Sequence, residues 1–279
     1  MPATVFDSRP LVARMTEELQ NEAAQFRKQY RRSPRLAQII AGHHPAAEVY
    51  SRQLIASCRK IGLGCATLAY PFEIGEDELR AEVATLNNDA HTDGVVLLLP
   101  LPEHIRQRVV TDVLAPEKDV DGLGSRNAGN LSLGFPSFIP STADAALTVL
   151  RAAGLTVAGR HAVVVGRSNI GGKPLALVLL RHDATVTICH SHTRDLPEIT
   201  RSADILVVSI GRPRSITADM VKPGAIVLDA GINPLNGTVV GDVDFEGVRQ
   251  VASFLTPVPG GLGPLTRLML IRHTLMGPQ

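Results

Sequence analysis

Hydrophobic and polar residues follow one another along this chain in two different periods. Short, continuous apolar runs predict buried strands, and stretches with apolar residues three and four positions apart predict amphipathic helices. In the first half, helices are predicted over residues 10–30, 45–61, 76–89 and 142–153, and strands over residues 36–41, 65–70 and within 93–100. Because strands and helices alternate, this half predicts an α/β domain built from βαβ units around a parallel sheet.

The second half repeats the alternation and begins with one distinctive stretch. The apolar run Ala162–Val165 predicts a fully buried parallel strand, which ends abruptly at Gly166. A glycine-containing turn follows, and an apolar helix starts near Leu175. Further strands are predicted over residues 184–189, 203–210 and 225–232 and near Val239.

Two stretches show little periodicity and predict loops. Residues 118–140 precede the helix at 142–153, and we place the junction between two domains in or near that helix. Residues 255–266 form a proline- and glycine-rich loop that introduces a last helix. A stiff loop between a sheet and a final helix is well placed to line a binding cleft.

Composition places the chain among ordinary globular proteins with enough apolar residues for real cores. It has 279 residues, of which 44% are hydrophobic and 20% charged, and its net charge is +1. A prior of roughly 150 residues per domain favours two domains. The small net charge gives no electrostatic reason to expect a nucleic acid or an anionic membrane as partner. No apolar run reaches the length that spans a membrane.

The three cysteines bear on the compartment of the protein. Cys58, Cys65 and Cys189 are odd in number and lie in apolar segments. This pattern predicts inert buried thiols in a reducing cytoplasm, with neither a disulfide framework nor a metal site. The first residues also lack the charged and then apolar pattern of a signal peptide.

The turn from Gly166 to Gly171 predicts a site for the pyrophosphate of a dinucleotide. A strand, a glycine turn and a helix together aim free backbone N–H groups and the positive end of a helix dipole at an anion. Ser168 stands where the usual Rossmann pattern has its second glycine. The complete strand–turn–helix context favours this interpretation over a turn that serves packing alone.

The residues after the next strand favour NADP over NAD. An NAD site usually has a carboxylate near the end of that strand, where it binds the ribose hydroxyls. Here the strand runs into Cys189-His190-Ser191 without an acidic residue. Arg167 projects from the glycine turn toward the same region, and a guanidinium with hydroxyl and imidazole groups suits a 2′-phosphate. The plainer alternative is that Arg167 and His190 are surface polar groups.

Several motifs along the chain carry a family resemblance. They are Lys118–Gly122, Val163–Ile170 with Gly172–Leu177, Cys189–Ser191, Val221–Gly224, Asp229–Asn233, Gly241–Phe245 and Thr256–Gly261. Together they resemble the methylenetetrahydrofolate dehydrogenase/cyclohydrolase family of the bifunctional FolD type. The similarity covers nearly the whole chain in one order and is most specific in the C-terminal half.

The resemblance implies a two-domain α/β fold whose domains face each other across a cleft that holds a tetrahydrofolate substrate. Residues 1–140 with 264–279 would form the folate-binding catalytic domain, with the final helix returning to it. Residues 141–263 would form the NADP-binding Rossmann domain. Members of the family are usually homodimers, so the resemblance also implies a homodimer.

The resemblance also assigns site residues. Tyr50 corresponds to the tyrosine that stacks near the pterin, and Asp121 to the acid that binds the pterin ring. With Gly171 and His190 from the turn and strand above, the expected NADP contacts are Gly166, Arg167, Ser168, Gly171, His190, Ser191 and Ile232. The expected substrate contacts are Tyr50, Leu98, Asp121, Pro259, Gly260 and Gly261.

The chain departs from the family pattern mainly in the folate half. The family has a catalytic lysine four residues after the tyrosine, where this chain has Leu54. The glutamine that partners this lysine is replaced by Leu98. The family's Cys-Thr-Pro has become Ser141-Thr142-Ala143, its His-Pro has become Gly124-Ser125, and Ala47 stands where a serine is usual.

These departures predict the loss of one of two activities. Hydride transfer from the methylene bridge requires alignment, and the folate nitrogens themselves stabilise the resulting cation. Hydrolysis of the methenyl cation requires a proton carrier, and positioned proton transfer contributes typically ~10²–10⁴-fold to such steps. Leu54 cannot carry a proton. Exchanging both partners for apolar groups can be nearly neutral for stability.

We therefore predict an NADP-dependent enzyme that oxidises 5,10-methylenetetrahydrofolate to 5,10-methenyltetrahydrofolate, with Tyr50 and Asp121 at its catalytic site and cyclohydrolase activity lost or strongly reduced. Three alternatives stay open. A bifunctional enzyme could use His43, His44 or Lys60 in place of the lysine. A non-catalytic homologue would bind folate or nucleotide without turnover. A dehydrogenase with a more apolar pocket would accept a different pterin or one-carbon carrier.

Overall fold

The computed structural model describes residues 2–235 and 237–278, which divide into two compact units. Residues 2–12 and 142–266 form one unit, called here the six-stranded unit after its main sheet. Residues 13–141 and 267–278 form the other, the three-stranded unit. Residues 267–278 therefore group with residues 13–141.

Helices and strands alternate over most of the chain. The helices are α1 (Ser8–Tyr30), α2 (Pro45–Ile61), α3 (Glu76–Asn88), α4 (Gln107–Thr111), α5 (Ser125–Leu133), α6 (Ser141–Ala152), α7 (Gly172–Arg181), α8 (Leu196–Arg201), α9 (Phe245–Arg249) and α10 (Gly263–Met276), with a 3-10 turn at Ala218–Met220. The strands are β1 (Thr4–Val5), β2 (Arg35–Ala41), β3 (Gly64–Tyr70), β4 (Gly94–Leu97), β5 (His161–Val165), β6 (Thr185–Cys189), β7 (Ile205–Val208), β8 (Ile226–Asp229), β9 (Asn233–Leu235), β10 (Thr238–Val240) and β11 (Phe254–Leu255). Within the described residues, no helix has the length and hydropathy needed to cross a membrane.

The three-stranded unit is built on a parallel sheet of order β3-β2-β4. The central strand β2 is buried along almost its whole length, because helices and neighbouring strands cover it. Helix α2 follows β2 and starts at Pro45, whose fixed φ suits the first helical turn. It ends at Gly62, which adopts φ +96° and donates its N–H to Cys58 O and Arg59 O. Proline and glycine thus fix both ends of the helix that carries Tyr50 and Leu54.

The six-stranded unit contains a parallel sheet of order β1-β11-β8-β7-β5-β6. Strand β5, which lies between β7 and the edge strand β6, is fully buried at Ala162–Val165, as the continuous apolar run predicts. From β5 the chain continues to β6 on one side and then to β7 on the other. In open α/β sheets, ligands bind at the carboxyl ends of the strands where the strand order reverses in this way. The sheet therefore places a candidate binding edge directly after Val165.

Several elements differ from the sequence-based prediction. The predicted strand at 225–232 ends at Asp229, and Asn233–Leu235 instead pairs with Thr238–Val240 as an antiparallel hairpin. The predicted strand at 203–210 is confined to Ile205–Val208. Residues 118–140 were predicted to be a loop, but they contain helix α5.

The first residues lie in a different unit from the one that the sequence suggested. The predicted division assigned residues 1–140 to the N-terminal domain, whereas residues 2–12 belong to the six-stranded unit. The reason is strand β1, in which Thr4 and Val5 pair with Phe254 and Leu255. A two-residue strand has too few positions to reveal a period in the sequence.

Candidate active site

The glycine turn after β5 is too tightly packed to hold side chains at two of its positions. Gly166 adopts φ +130°, and a Cβ on it would lie 2.2 Å from Ser209 O. A Cβ on Gly172, the first residue of α7, would lie 2.0 Å from Gly166 O. Both positions therefore require glycine, and the start of α7 approaches the turn closely.

The same turn is organised by Ser168. Its side-chain oxygen accepts the N–H of Gly171 at 3.1 Å, and its carbonyl accepts the N–H of Lys173 at 3.1 Å. Arg167 and Ser168 are themselves exposed at the tip of the turn. A tight turn with glycine at its closely packed positions, followed by the positive end of a ten-residue helix, fits the pyrophosphate of a dinucleotide.

The ends of β5 and β6 bring the predicted 2′-phosphate residues to neighbouring positions. Val165 is in register with Cys189, and the N–H of Gly166 donates to Cys189 O at 2.8 Å. Arg167 and the His190–Ser191 pair therefore leave adjacent strand ends. His190 is half-buried, and its Nδ1 accepts the N–H of His192 at 3.1 Å, whereas Ser191 is exposed. This edge offers a guanidinium and a hydroxyl to an anion.

Two further predicted contacts lie in loops of the six-stranded unit. Ile232 follows β8, and 62% of its surface is exposed. In the Pro259–Gly261 loop, Gly260 adopts φ +102° and its carbonyl accepts the Ser8 hydroxyl at 2.5 Å. A Cβ on Gly261 would lie 2.4 Å from Pro257 O, so this loop, too, depends on glycine for its tight path.

In the three-stranded unit, α2 carries Tyr50 and Leu54 one helical turn apart on one face. Tyr50 is half-buried, whereas Leu54 has no exposed surface. Leu98 directly follows β4, donates its N–H to Ile39 O at 2.9 Å and is 5% exposed. Both leucines therefore lie in the apolar interior of this unit.

Asp121 lies in the loop between α4 and α5. One of its carboxylate oxygens accepts the N–H of Ser141 at 2.9 Å. Burial raises the pKa of Asp121, while the hydrogen bonds from Ser141 and the nearby His273 act in the opposite direction. The adjacent Gly122 adopts φ +60°, and a Cβ there would lie 2.3 Å from Phe138 O. The loop therefore holds a carboxyl group whose protonated form is favoured relative to a solvated aspartate.

Arg267 is a residue of this region that the sequence analysis missed. It lies in α10, and its guanidinium donates from Nη1 to Gln53 Oε1 at 2.9 Å. Burial lowers the pKa of Arg267, and the neighbouring Tyr50 acts in the opposite direction. A basic residue among the apolar residues of the first turns of this helix was the available signal.

The three groups considered as substitutes for the lysine differ in surroundings. His43 is largely exposed and forms an ion pair with Glu48. His44 is half-buried and is the residue that precedes α2. Lys60 is exposed in the last turn of α2, six positions beyond Leu54.

Comparison with protein families decides the class of the chain. Residues 6–121 match the catalytic domain of tetrahydrofolate dehydrogenase/cyclohydrolase, and residues 140–278 match the NAD(P)-binding domain of the same enzyme. The chain belongs to the tetrahydrofolate dehydrogenase/cyclohydrolase family. The predicted family and the predicted nicotinamide-nucleotide domain are thereby confirmed.

Relatives in this family resemble the chain over its full length. The bifunctional protein FolD of Bordetella avium is 47% identical over 280 residues, covering 100% of this chain and 98% of its own length. The crystal structure of FolD from Campylobacter jejuni superposes with a TM-score of 0.94 at 40% identity, covering 98% of this chain and 97% of that one. FolD of Trypanosoma brucei, solved with NADP and an inhibitor, gives a TM-score of 0.94 at 35% identity, covering 99% and 97%.

Proposed function

We propose that this member of the family oxidises 5,10-methylenetetrahydrofolate to 5,10-methenyltetrahydrofolate with NADP⁺ and has little or no cyclohydrolase activity. The observation that carries the proposal is the contrast between two sets of residues. The glycine turn that fits a dinucleotide is complete, whereas Leu54 and Leu98 are buried hydrocarbon at the positions of the family's polar pair.

The choice of NADP over NAD is supported by the ends of β5 and β6. Arg167 and Ser191 are exposed on neighbouring strand ends, and β6 ends without a carboxylate. A guanidinium binds a phosphate through paired charge-assisted hydrogen bonds, while a carboxylate there would repel it. The relative from Trypanosoma brucei was solved with NADP.

For the dehydrogenation step, the protein has mainly to hold the folate substrate and the cofactor in the correct relative position. NADP⁺ supplies the hydride acceptor when it is bound. We assign Tyr50 to packing against the pterin, Asp121 to its polar edge and the Pro259–Gly261 loop to shaping the substrate site. A carboxyl group whose pKa is raised by burial is suited to hydrogen bonding with the pterin ring.

Hydrolysis of the methenyl cation also requires proton transfer. Water must add and lose a proton, and an amine must then accept one before it leaves. The leucine side chains at positions 54 and 98 can do neither. Arg267 brings a positive charge near Tyr50, but a guanidinium stays protonated in proteins and therefore does not carry protons as a lysine can.

A second candidate is a bifunctional enzyme. It is favoured by the relatives, which are named bifunctional proteins, and by the cation that Arg267 places near Tyr50. In that case Arg267 would orient the attacking water and solvent would carry the proton.

One assay tests the proposal and separates the two candidates. Purified protein receives methylenetetrahydrofolate with NADP⁺ or NAD⁺, and the reduced cofactor and the methenyl product are followed separately. We expect faster reduction of NADP⁺ than of NAD⁺, with methenyl product accumulating in step. Hydrolysis of added methenyltetrahydrofolate well above its uncatalysed rate would contradict the loss of the second activity.

Restoring the family's polar pair provides the matching gain of function. The double variant Leu54→Lys/Leu98→Gln should raise methenyl hydrolysis by on the order of 10²-fold, since it reintroduces a proton carrier and its partner. Leu54→Met is the control, because it alters the side chain at the same position without adding a proton carrier. An unchanged hydrolysis rate in a folded double variant would mean that these positions do not set the activity.

We also propose that the protein is a cytoplasmic homodimer. Strand β6 lies at an open edge of its sheet, and Ile188 and Leu180 beside it are 43% and 57% exposed. An unpaired edge with exposed apolar residues favours association with another chain. The free thiols Cys58, Cys65 and Cys189 agree with a reducing compartment, although Cys65 is only half-buried rather than buried as predicted.

A further inference from the structure

Two buried carboxylates hold the loops at the carboxyl ends of β7 and β8. Asp229 is the last residue of β8 and is 4% exposed, and Asp242 follows β10 and has no exposed surface. We propose that Asp229 and Asp242 are positioning residues for NADP, which fix the backbone of residues 209–212 and 230–232 around the cofactor. This inference rests on the proposed placement of NADP at the strand ends.

Asp242 accepts four hydrogen bonds and thereby fixes the loop after β7. Its Oδ2 accepts the N–H groups of Ile210 at 2.6 Å and Gly211 at 3.0 Å. Its Oδ1 accepts the N–H of Arg212 at 2.9 Å and the side-chain amide of Asn233 at 2.8 Å. Three consecutive backbone N–H groups thus share one carboxylate as their acceptor.

The loop that Asp242 holds also supports the glycine turn. Ser209, the residue before it, donates its N–H to Val165 O at 2.8 Å. The Ser209 carbonyl would be 2.2 Å from a Cβ on Gly166, and the Ser209 hydroxyl would be 2.6 Å from a Cβ on Gly171. A shift of the loop at residues 209–212 would therefore move the Ser209 oxygens, which pack closely against the turn proposed to bind the pyrophosphate.

Asp229 performs the same task for the loop after β8. Its Oδ1 accepts the N–H groups of Gly231 at 2.9 Å and Asp242 at 3.0 Å, and its Oδ2 accepts the N–H of Val243 at 2.9 Å. Gly231 directly precedes Ile232, a proposed NADP contact. Because Asp242 donates its own N–H to Asp229, the two carboxylates form one continuous network between the loops.

Close packing explains why each carboxylate has a glycine beside it. A Cβ on Gly231 would lie 2.3 Å from Asp242 Cγ, and a Cβ on Gly241 would lie 1.9 Å from Asp229 Oδ2. An asparagine fits the same space, but its amide nitrogen would face backbone N–H groups that now have an acceptor. Substitution by asparagine therefore removes hydrogen-bond acceptors while it preserves the volume of the side chain.

The test measures NADPH binding directly, in the absence of folate. In Asp242→Asn, the loss of acceptors for buried N–H groups should raise the Kd for NADPH by on the order of tenfold. Asp229→Asn should act in the same direction. Asp183→Asn is the matched control, because it makes the same charge change at an exposed position after the far end of α7. A Kd within twofold of the wild type in folded Asp242→Asn would overturn the proposal.

Three further readouts complete the test. A merely structural role would lower the melting midpoint without changing the Kd of the folded protein, so both are measured. If the aspartate variants do not fold, Asn233→Ser decides. It removes the amide that donates to Asp242 at 2.8 Å and to Val240 O at 3.4 Å, and it leaves in place the three backbone N–H groups that donate to Asp242. A threefold or larger rise in its Kd supports the proposal, and an unchanged Kd overturns it.

Wild-type protein that binds NADPH but does not oxidise methylenetetrahydrofolate would refute the proposed function alone.

Discussion

At the scale of single residues, the proposed loss of cyclohydrolase activity rests on two leucines. Leu54 has no exposed surface and Leu98 has 5%, so each behaves as an ordinary core residue. They bear on function only because of their positions. Leu54 lies one helical turn after Tyr50, and Leu98 directly follows β4. The sequence could supply this observation because position relative to a motif is readable in one dimension.

Arg267 shows what could not be read in this way. It is 214 positions from Gln53 in the chain, yet its guanidinium donates a hydrogen bond to that side chain. The apolar residues around Arg267 predict a helix. Neither their spacing nor a motif predicts which distant residue that helix contacts. The neighbourhood of Tyr50 therefore required the structure.

Asp229 gives a residue-scale prediction about pH. Burial raises its pKa from 3.8 to about 6, with the nearby Asp242 adding to the shift. Because the folded protein binds this proton more tightly than the unfolded chain does, the group favours folding most below pH 3.8, and this contribution is lost as pH rises through about 6. The free energy of unfolding of the wild type, relative to Asp229→Asn, should fall by about 2 kcal/mol between pH 4 and pH 7.

The measurement is urea unfolding of both proteins across that range. Taking the difference between them cancels the contributions of the other titrating groups, since the variant removes only Asp229. A difference that stays constant with pH would show that Asp229 keeps an ordinary pKa.

At the scale of elements, the best-predicted segments are those with strong local signals. Helix α2 has the predicted bounds because Pro45 and Gly62 mark its ends, and β5 is buried where its apolar run predicts. Helix α5 was missed, since it starts after Gly124 without a side-chain cap and contains Gly129. Its Asn127 donates a buried hydrogen bond to Asp119 Oδ2 at 3.0 Å. This contact is not visible in the local sequence, as a helix cap would be.

The junction between β5 and α7 gives an element-scale prediction. In Gly172→Ala, the new methyl group would lie 2.0 Å from Gly166 O, so α7 must move away from the turn. We expect the Kd for NADPH to rise more than tenfold, because the start of the helix and the turn bind the pyrophosphate together. Direct titration with NADPH measures this effect.

Gly129→Ala is the control for that variant. No atom lies within 4 Å of a Cβ placed on Gly129, and the residue is inside helix α5. Alanine there should leave NADPH binding unchanged and stabilise the helix by roughly 0.5–1 kcal/mol. If Gly172→Ala and Gly129→Ala bind NADPH with the same Kd, the turn is not part of the cofactor site.

At the scale of the whole molecule, the proposed homodimer has a direct test. If the open edge at β6 forms the interface, Ile188→Lys should convert the dimer to a monomer, because it places a charge on an exposed apolar position of the edge strand. Light scattering after gel filtration measures the mass. Val239→Lys changes an exposed apolar residue in the β9–β10 hairpin and should leave the mass unchanged.

The order of the chain across the two units has a consequence for synthesis. The chain changes unit within α1, α6 and α10, and Ser8 binds the carbonyl of Gly260, 252 positions later. A ribosome adds about 5–20 residues per second, so the first strand emerges on the order of 10–50 s before its partner β11. During that interval the nascent chain carries an unpaired strand at its tip. The six-stranded sheet is therefore completed only when translation is nearly over.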